Sequence, residues 1–330
     1  MDIVILGAGA TGSILAAHLI KAGENVTLIA RGARAEYLRT NGITITGLAD
    51  FTVPCSVVTD PGGVKRTDLL IVTVKTYDTE SALRGLAHLD LSAAVSVQNG
   101  VMKNDQLAAV FGKENTLGGA FFCSGEVAAD GAVRFTLNQC FYVGELGGGV
   151  TDRVRHVVDI LAHSGITSEA SPMIGAVEWS KFISWLGMMS LSVLTRMETW
   201  KFLENRHTAL IGVRIMKEAA GLAERLGIPL EDNPPFPIRS MRLQPEEETV
   251  ETLHGIGEFM KAATPDHRVS ALQDLERGRR LEAGETLGYV LERARAEKIE
   301  VPTVTTVFHL ISGIDDHNRL MFAESRASDN

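Results

Sequence analysis

Residues 7–12 read Gly7-Ala8-Gly9-Ala10-Thr11-Gly12. They follow directly on the apolar run Asp2-Ile3-Val4-Ile5-Leu6 and open a helical stretch over 10–22. Few chain paths satisfy a strand, this glycine spacing and a helix in immediate succession. The first glycine permits a tight turn, the second lets backbone approach a pyrophosphate, and the third lets the helix lie close on the strand. The start of the helix then presents N–H groups and a positive dipole end to phosphates. The segment predicts the first βαβ unit of a dinucleotide-binding sheet.

The rest of the first half agrees. Short β-rich runs at 25–30, 68–74 and 93–97 alternate with helical stretches. Continuous apolar strands separated by helices indicate a parallel sheet covered on both faces, the doubly wound α/β class of Rossmann type. Residues 43–58 alternate around Gly47-Leu48-Ala49-Asp50 and are read as a hairpin, and 131–144 as a second antiparallel excursion. After about residue 170 strand signals vanish. Helices are predicted at 173–199, 206–227, 247–262, 268–276 with 280–298, and 303–312. The expected division is a nucleotide-binding domain over 1–169 and an all-helical C-terminal domain over 170–330, with the boundary near Thr167–Pro172. A length of 330 residues suits two domains. The proline-rich stretch Pro234, Pro235, Pro237, Pro245 is placed in a loop of the second domain, and residues 324–330 are expected to fray.

Composition narrows the function classes. Thirty-two basic against forty-one acidic residues give a net charge of −9, which opposes nucleic-acid binding and a polybasic membrane surface. The apolar run Ile3–Leu6 breaks at once into the glycine turn, so it is not read as a leader. No uncharged run reaches the roughly 20 residues of a membrane span, and a soluble cytoplasmic protein is expected. Three scattered cysteines and nine histidines without paired ligand spacing offer no disulfide framework and no metal site.

Several strand ends carry polar groups where ligands of open α/β sheets bind. The second strand runs into Arg31 rather than the acidic residue that grips a ribose 2′-hydroxyl, which favours a 2′-phosphate and hence NADP(H) over NAD(H). Arg34, close behind, is either a second phosphate ligand or a solvated loop charge. Lys75 and Asn99 end the next two strands, in Lys75-Thr76-Tyr77 and Gln98-Asn99-Gly100. Each has two readings: a group facing the cofactor, or a surface lysine and a plain turn.

The helical half offers Lys181, which precedes fourteen uncharged residues, Phe182 to Thr195. A lysine within so apolar a helix is a candidate acid, because burial lowers an ammonium pKa; the other reading is a side chain snorkelling to water. Glu282 lies in a charge-rich stretch where nothing local separates it from Glu276, Glu285 or Glu292.

Taken in order, GAGATG at 7–12, ARG at 30–32, VTVKTYDTESAL at 72–83, QNGV at 98–101, EWSKF at 178–182 and SALQDLERGRRLE at 270–282 resemble the ketopantoate reductase (2-dehydropantoate 2-reductase) family across nearly the whole chain. The resemblance implies NADPH-dependent reduction of a 2-oxo acid, most directly ketopantoate to pantoate in pantothenate biosynthesis. It implies a cofactor held by Gly7, Ala8, Gly9, Ala10, Thr11, Gly12, Arg31, Lys75 and Asn99. It implies catalysis by Lys181, Glu282 and Asn99, with Ser270 and Glu282 serving the substrate. The chain departs from the family in one place. Four and eight residues after the lysine, where the family commonly has substrate-binding asparagines, stand Trp185 and Met189. Each lost hydrogen bond to a charged group is worth roughly 1.5–3 kcal/mol, which Ser184 or Ser192 would offset only in part. The alternatives are therefore a reductase of a more apolar 2-oxo acid or ketone, and a non-catalytic NADPH-binding module. The expected partner is a small-molecule substrate, with a homodimer through the helical domain.

Overall fold

The computed structural model describes residues 1–328, with side chains to residue 323. The chain divides into two compact units, Met1–Glu178 and Trp179–Asn330.

In the first unit the elements are β1 (Asp2–Leu6), α1 (Ala10–Lys21), β2 (Asn25–Ile29), α2 (Gly32–Asn41), β3 (Ile43–Gly47), β4 (Phe51–Val53), β5 (Ser56–Val58), β6 (Arg66–Val72), α3 (Thr79–Arg84), β7 (Asp90–Ser96), α4 (Lys103–Phe111), β8 (Thr116–Val127), β9 (Val133–Glu145), α5 (Asp152–His163) and β10 (Ser168–Ala170). The helix α6 (Ile174–Thr195) begins in this unit. The sheet order is β4-β3-β9-β8-β7-β6-β1-β2-β5, with β10 beside β9. β1 pairs in parallel with both β2 and β6. The order therefore reverses at β1, the switch point where such sheets bind ligands.

Alternation along β1 shows why the sheet is covered on both faces. Ile3 and Ile5 join one buried cluster with Ile14, Leu15, Leu28, Leu69 and Val95. Val4 and Leu6 join another with Ile29, Leu70, Leu83 and Leu107. Successive side chains of a strand point to opposite faces, so a continuous apolar run requires a core on each.

Two sequence expectations change here. Only β3 and β4 form a hairpin within 43–58; β5 leaves it and adds to β2 in parallel at the sheet's edge. The excursion at 131–144 is antiparallel, but its partner β8 was not foreseen. Gly118, Gly119 and Gly125 hide β8 from a propensity reading. They are needed because a Cβ at Gly118 would lie 2.7 Å from Ile174, and one at Gly119 2.6 Å from Val95.

The unit also extends to Glu178 rather than stopping at residue 169. Ile174 and Val177 of α6 bury against Ala120 of β8, so the first turns of the helix belong to the sheet's core.

The second unit continues α6 and adds α7 (Thr199–Glu204), α8 (Arg206–Arg225), a two-residue strand pair β11 (Asp232–Asn233) and β12 (Phe236–Pro237), α9 (Ile238–Leu243), α10 (Glu246–Ala263), α11 (Ser270–Glu276), α12 (Tyr289–Ala296) and α13 (Pro302–Ser328). The stretch expected over 173–199 breaks at Arg196, whose φ of 56° ends α6. Small residues let α6 and α8 approach closely: a Cβ on Gly187 would lie 2.5 Å from Met216, and one on Gly212 2.8 Å from Leu191. The stretch 280–298 is not one helix; a wide π turn over Gly284–Gly288 precedes α12. α13 is far longer than the predicted 303–312, and Glu218 caps its start by accepting from the N–H groups of Thr303 and Val304 at 2.9 Å each. The expected fraying of 324–330 is corrected as far as Ser328, where the helix still runs; residues 329–330 lie outside the described residues.

Candidate active site

The glycine turn has the geometry its spacing predicts. Gly7 adopts φ +113°, which an L side chain rarely does, and its N–H donates to Ile29 at 3.0 Å. Gly9 begins α1 with no side-chain cap, and a Cβ there would meet nothing within 4 Å. That open face is where a pyrophosphate would sit. A Cβ on Gly12 would lie 2.1 Å from the carbonyl oxygen of Gly7, so only glycine lets α1 come this close. Thr73 closes the turn from beneath, donating to Leu6 and Gly7 carbonyls at 3.1 and 2.9 Å. Gly7, Ala8, Gly9, Ala10, Thr11 and Gly12 thus fit a dinucleotide.

Arg31 follows β2 as the exposed N-cap of α2. Arg34 is not the solvated loop charge that was one of its two sequence readings. Its guanidinium is half-buried and donates to the Ala8 carbonyl, the Ser13 hydroxyl and the Gly131 carbonyl. Burial pushes its pKa down from the ordinary arginine value.

Lys75 follows β6 and starts a short 3-10 turn, Thr76–Asp78; it is half-buried, and its carbonyl accepts from Asp78 N–H at 2.9 Å. Asn99 follows β7, half-buried, before Gly100 at φ +108°. Gln98 ties these two strand ends together. Its amide donates to the Val74 carbonyl and the Thr79 hydroxyl, both at 2.6 Å, and its carbonyl accepts from Ser96 at 2.9 Å. The glycine turn, Arg31, Lys75 and Asn99 therefore stand at the carboxyl ends of β1, β2, β6 and β7, four adjacent strands of one parallel sheet.

Sequence reasoning missed what lies under Asn99. Lys103, 3% exposed, opens α4 and donates to the carbonyls of Gln98, at 3.2 Å, and Gly119. Its ammonium is 3.3 Å from Glu178, whose carboxylate also accepts from Gly119 N–H at 2.8 Å and Asn104 at 2.6 Å. Burial lowers the Lys103 pKa, and the Glu178 carboxylate works against that shift. A charge pair so fully satisfied fixes geometry more than it adds stability. The only sequence hint was a lysine three residues after an Asn-Gly turn.

In the second unit Lys181 is half-buried on α6, between buried Ser180 and Phe182. Trp185 is half-buried, whereas Met189 is 1% exposed. Ser184, considered above as a substitute for the missing asparagines, donates instead to the Lys181 carbonyl of its own helix at 2.8 Å. Ser192 is fully buried, and its hydroxyl has no protein partner among the described residues. Glu282 is buried, unlike the exposed Glu276, a distinction the sequence did not carry. The preceding residue is held from α13: Asp315, also buried, accepts from Leu281 N–H at 3.0 Å, and burial raises the Asp315 pKa. Tyr289, just after the π turn, lies 6.4 Å from both Trp179 and Phe182 of α6, which keeps this stretch against the helix that bears Lys181. π turns are frequent at functional sites. Ser270 is exposed at the first position of α11. Among the described residues no group of three His, Cys, Asp or Glu could hold a metal. No described helix is long and apolar enough to cross a membrane.

The 2-dehydropantoate 2-reductase of Archaeoglobus fulgidus is 27% identical over 311 residues, covering 94% of this chain and 97% of that one. The crystal structure of a PanE/ApbA family ketopantoate reductase from Ralstonia eutropha superposes with a TM-score of 0.82 at 24% identity, covering 97% of this chain and all of that one. The ternary structure of D-mandelate dehydrogenase with NADH and anilino(oxo)acetate superposes with a TM-score of 0.84 at 20% identity, over 96% of this chain and 99% of that one. The family profile described as ketopantoate reductase PanE/ApbA matches residues 3–148, and its C-terminal counterpart matches residues 174–315. With both halves matched in order, the chain belongs to the ketopantoate reductase family.

Proposed function

We propose that the protein reduces the ketone of a 2-oxo acid with NADPH, and that ketopantoate is its first candidate substrate. The observation that carries the reading is a half-buried lysine on the long apolar helix α6, in a chain whose other unit presents a complete dinucleotide cradle. The bound nicotinamide supplies a hydride. The glycine turn receives the pyrophosphate on the N–H groups that open α1, and Arg31 forks onto the 2′-phosphate. Lys75 and Asn99 line the nicotinamide end, Asn99 fixing the orientation of the substrate carbonyl. The Lys181 ammonium stabilises the negative charge that develops on the carbonyl oxygen and gives that oxygen its proton. Glu282 keeps Lys181 protonated or orients the substrate, because a carboxylate within about 4–6 Å favours the ammonium. Ser270 assists at the substrate carboxylate.

A second reading concerns the substrate. Trp185 and Met189 put an indole and a thioether on the Lys181 side of α6, where amides would suit a hydroxylated acid. D-mandelate dehydrogenase, of the same fold, binds anilino(oxo)acetate, an aryl 2-oxo acid analogue. An apolar or aryl 2-oxo acid therefore competes with ketopantoate. NADPH oxidation followed by absorbance, with ketopantoate beside a panel of aliphatic and aryl 2-oxo acids, separates the two. Fastest turnover of ketopantoate supports the first reading, and a faster aryl substrate the second. A stable NADPH complex with no turnover on any of them would contradict both and leave a binding module.

A further inference from the structure

The Arg34 guanidinium makes three hydrogen bonds within the protein, to three different segments of the chain. Its Nε donates to the Ala8 carbonyl at 3.1 Å, its Nη2 to the Ser13 hydroxyl at 3.1 Å, and its Nη1 to the Gly131 carbonyl at 2.6 Å. Ser13 in turn donates to the same Ala8 carbonyl at 3.2 Å. The guanidinium carbon lies 5.2 Å from the Tyr37 ring centroid. That ring also packs against Gly131: a Cβ there would come within 2.4 Å of it. Gly131 holds φ +88° in the turn between β8 and β9. One side chain of α2 thus joins the glycine turn, the first turn of α1 and the β8–β9 turn.

The consequence follows from the planarity of the peptide. In a trans peptide the carbonyl and the next N–H point in opposite directions. Arg34 and Ser13 draw the Ala8 carbonyl to their side. The Gly9 N–H of the same peptide is then aimed the other way, and Gly9 itself is uncrowded: a Cβ there would meet nothing within 4 Å. A guanidinium holds its N–H groups in a rigid fork, so it can fix such a peptide, and a flexible ammonium cannot do so equally well.

We propose that Arg34 is the positioning residue of the dinucleotide turn, acting separately from the 2′-phosphate contact that the proposed function gives to Arg31. This rests on the reading of the chain as a nicotinamide-dependent reductase and assigns the division of labour within its cofactor site. Arg34 acts through the Ala8–Gly9 peptide, which meets the part common to NADPH and NADH. Arg31, exposed at the end of β2, meets only the part that distinguishes them.

The test is a fluorescence titration of the full-length protein with NADPH and with NADH, on wild type and on the variants Arg34→Met, Arg34→Lys and Arg31→Met. Arg34→Met is expected to raise both dissociation constants by a similar factor, roughly tenfold or more for a lost charged hydrogen-bond set, with the NADPH-to-NADH ratio unchanged. Arg34→Lys should recover part of that loss. Arg31→Met should raise only the NADPH constant and collapse the ratio. A selective loss of NADPH affinity in Arg34→Met would overturn the proposal and make Arg34 a phosphate ligand. A lowered Tm with unchanged dissociation constants would overturn it too, leaving Arg34 a merely structural residue. If Arg34→Met does not fold, Ser13→Ala removes one member of the same clasp, and should weaken both dinucleotides together by a smaller factor; no change there would count against the proposal. Wild-type protein that bound neither dinucleotide would instead sink the reductase reading itself.

Discussion

The two units present their candidate groups in different materials. In the first, the cradle is mostly backbone: a positive-φ glycine, an open glycine and a glycine under a carbonyl, at the ends of parallel strands. In the second, the candidate groups are side chains, Lys181 on α6 and Glu282 just before the π turn. A backbone site restricts residue type, because only glycine satisfies it, so it leaves a spacing in the sequence. A side-chain site on a helix leaves one charged letter among many.

The contrast can be broken or sharpened by substitution. The largest effect on stability belongs to the buried pair. Lys103→Met leaves Glu178 as an unpaired buried carboxylate and should destabilise the protein by about 3–5 kcal/mol in urea unfolding. Lys103→Met with Glu178→Met should regain most of it; a double variant no better than the single would show that the geometry, not the charge, is indispensable. Gly12→Val comes next. The added carbons meet the Gly7 carbonyl, so the turn must open, at a cost of about 3 kcal/mol, and NADPH binding should be lost in a titration. Retained binding would mean that the turn is less constrained than its backbone implies.

Glu282→Gln should have a smaller and more selective effect. The amide keeps the shape and loses the charge, so kcat/KM for the 2-oxo acid should fall by about 1.5–3 kcal/mol, with NADPH affinity unchanged. An equal loss of NADPH affinity would erase the division between the units. The smallest effect concerns pH. His18 is buried, with Nδ1 2.9 Å from the Ser164 carbonyl, an acceptor only, so Nδ1 carries the proton of the neutral ring. Burial lowers its pKa below the ordinary 6.5. The unfolded chain then takes up the proton first, and stability falls as pH drops from 6.5 through the lower folded value. Melting curves across that window should show a shallower decline for His18→Gln than for wild type.

The same division explains what the sequence revealed. β1, the glycine turn, α1 and the neighbouring parallel strands were legible because burial on both faces writes continuous apolar runs. β8 was not, because three of its residues are glycines that make room for Val95, Ile174 and Ile14. The length of α13 was hidden because its start is capped from α8 by Glu218, a contact 85 residues away in sequence. The partners of Arg34, Lys103 and Asp315 went unread for a shared reason. Each of these residues works by reaching a backbone group far along the chain, and neither periodicity nor motif spacing records such a partner. Glu282 stood out only by resemblance, and its burial beside a π turn is what the fold adds.

The most direct test of the account separates cofactor binding from chemistry at one residue. Lys181→Ala is measured for NADPH affinity by titration and for kcat on the best 2-oxo acid substrate of the wild type. Loss of a general acid predicts a fall in kcat of about 10²–10⁴-fold, while the NADPH dissociation constant stays within about twofold. A kcat near that of wild type, or NADPH affinity lost in proportion, would contradict it.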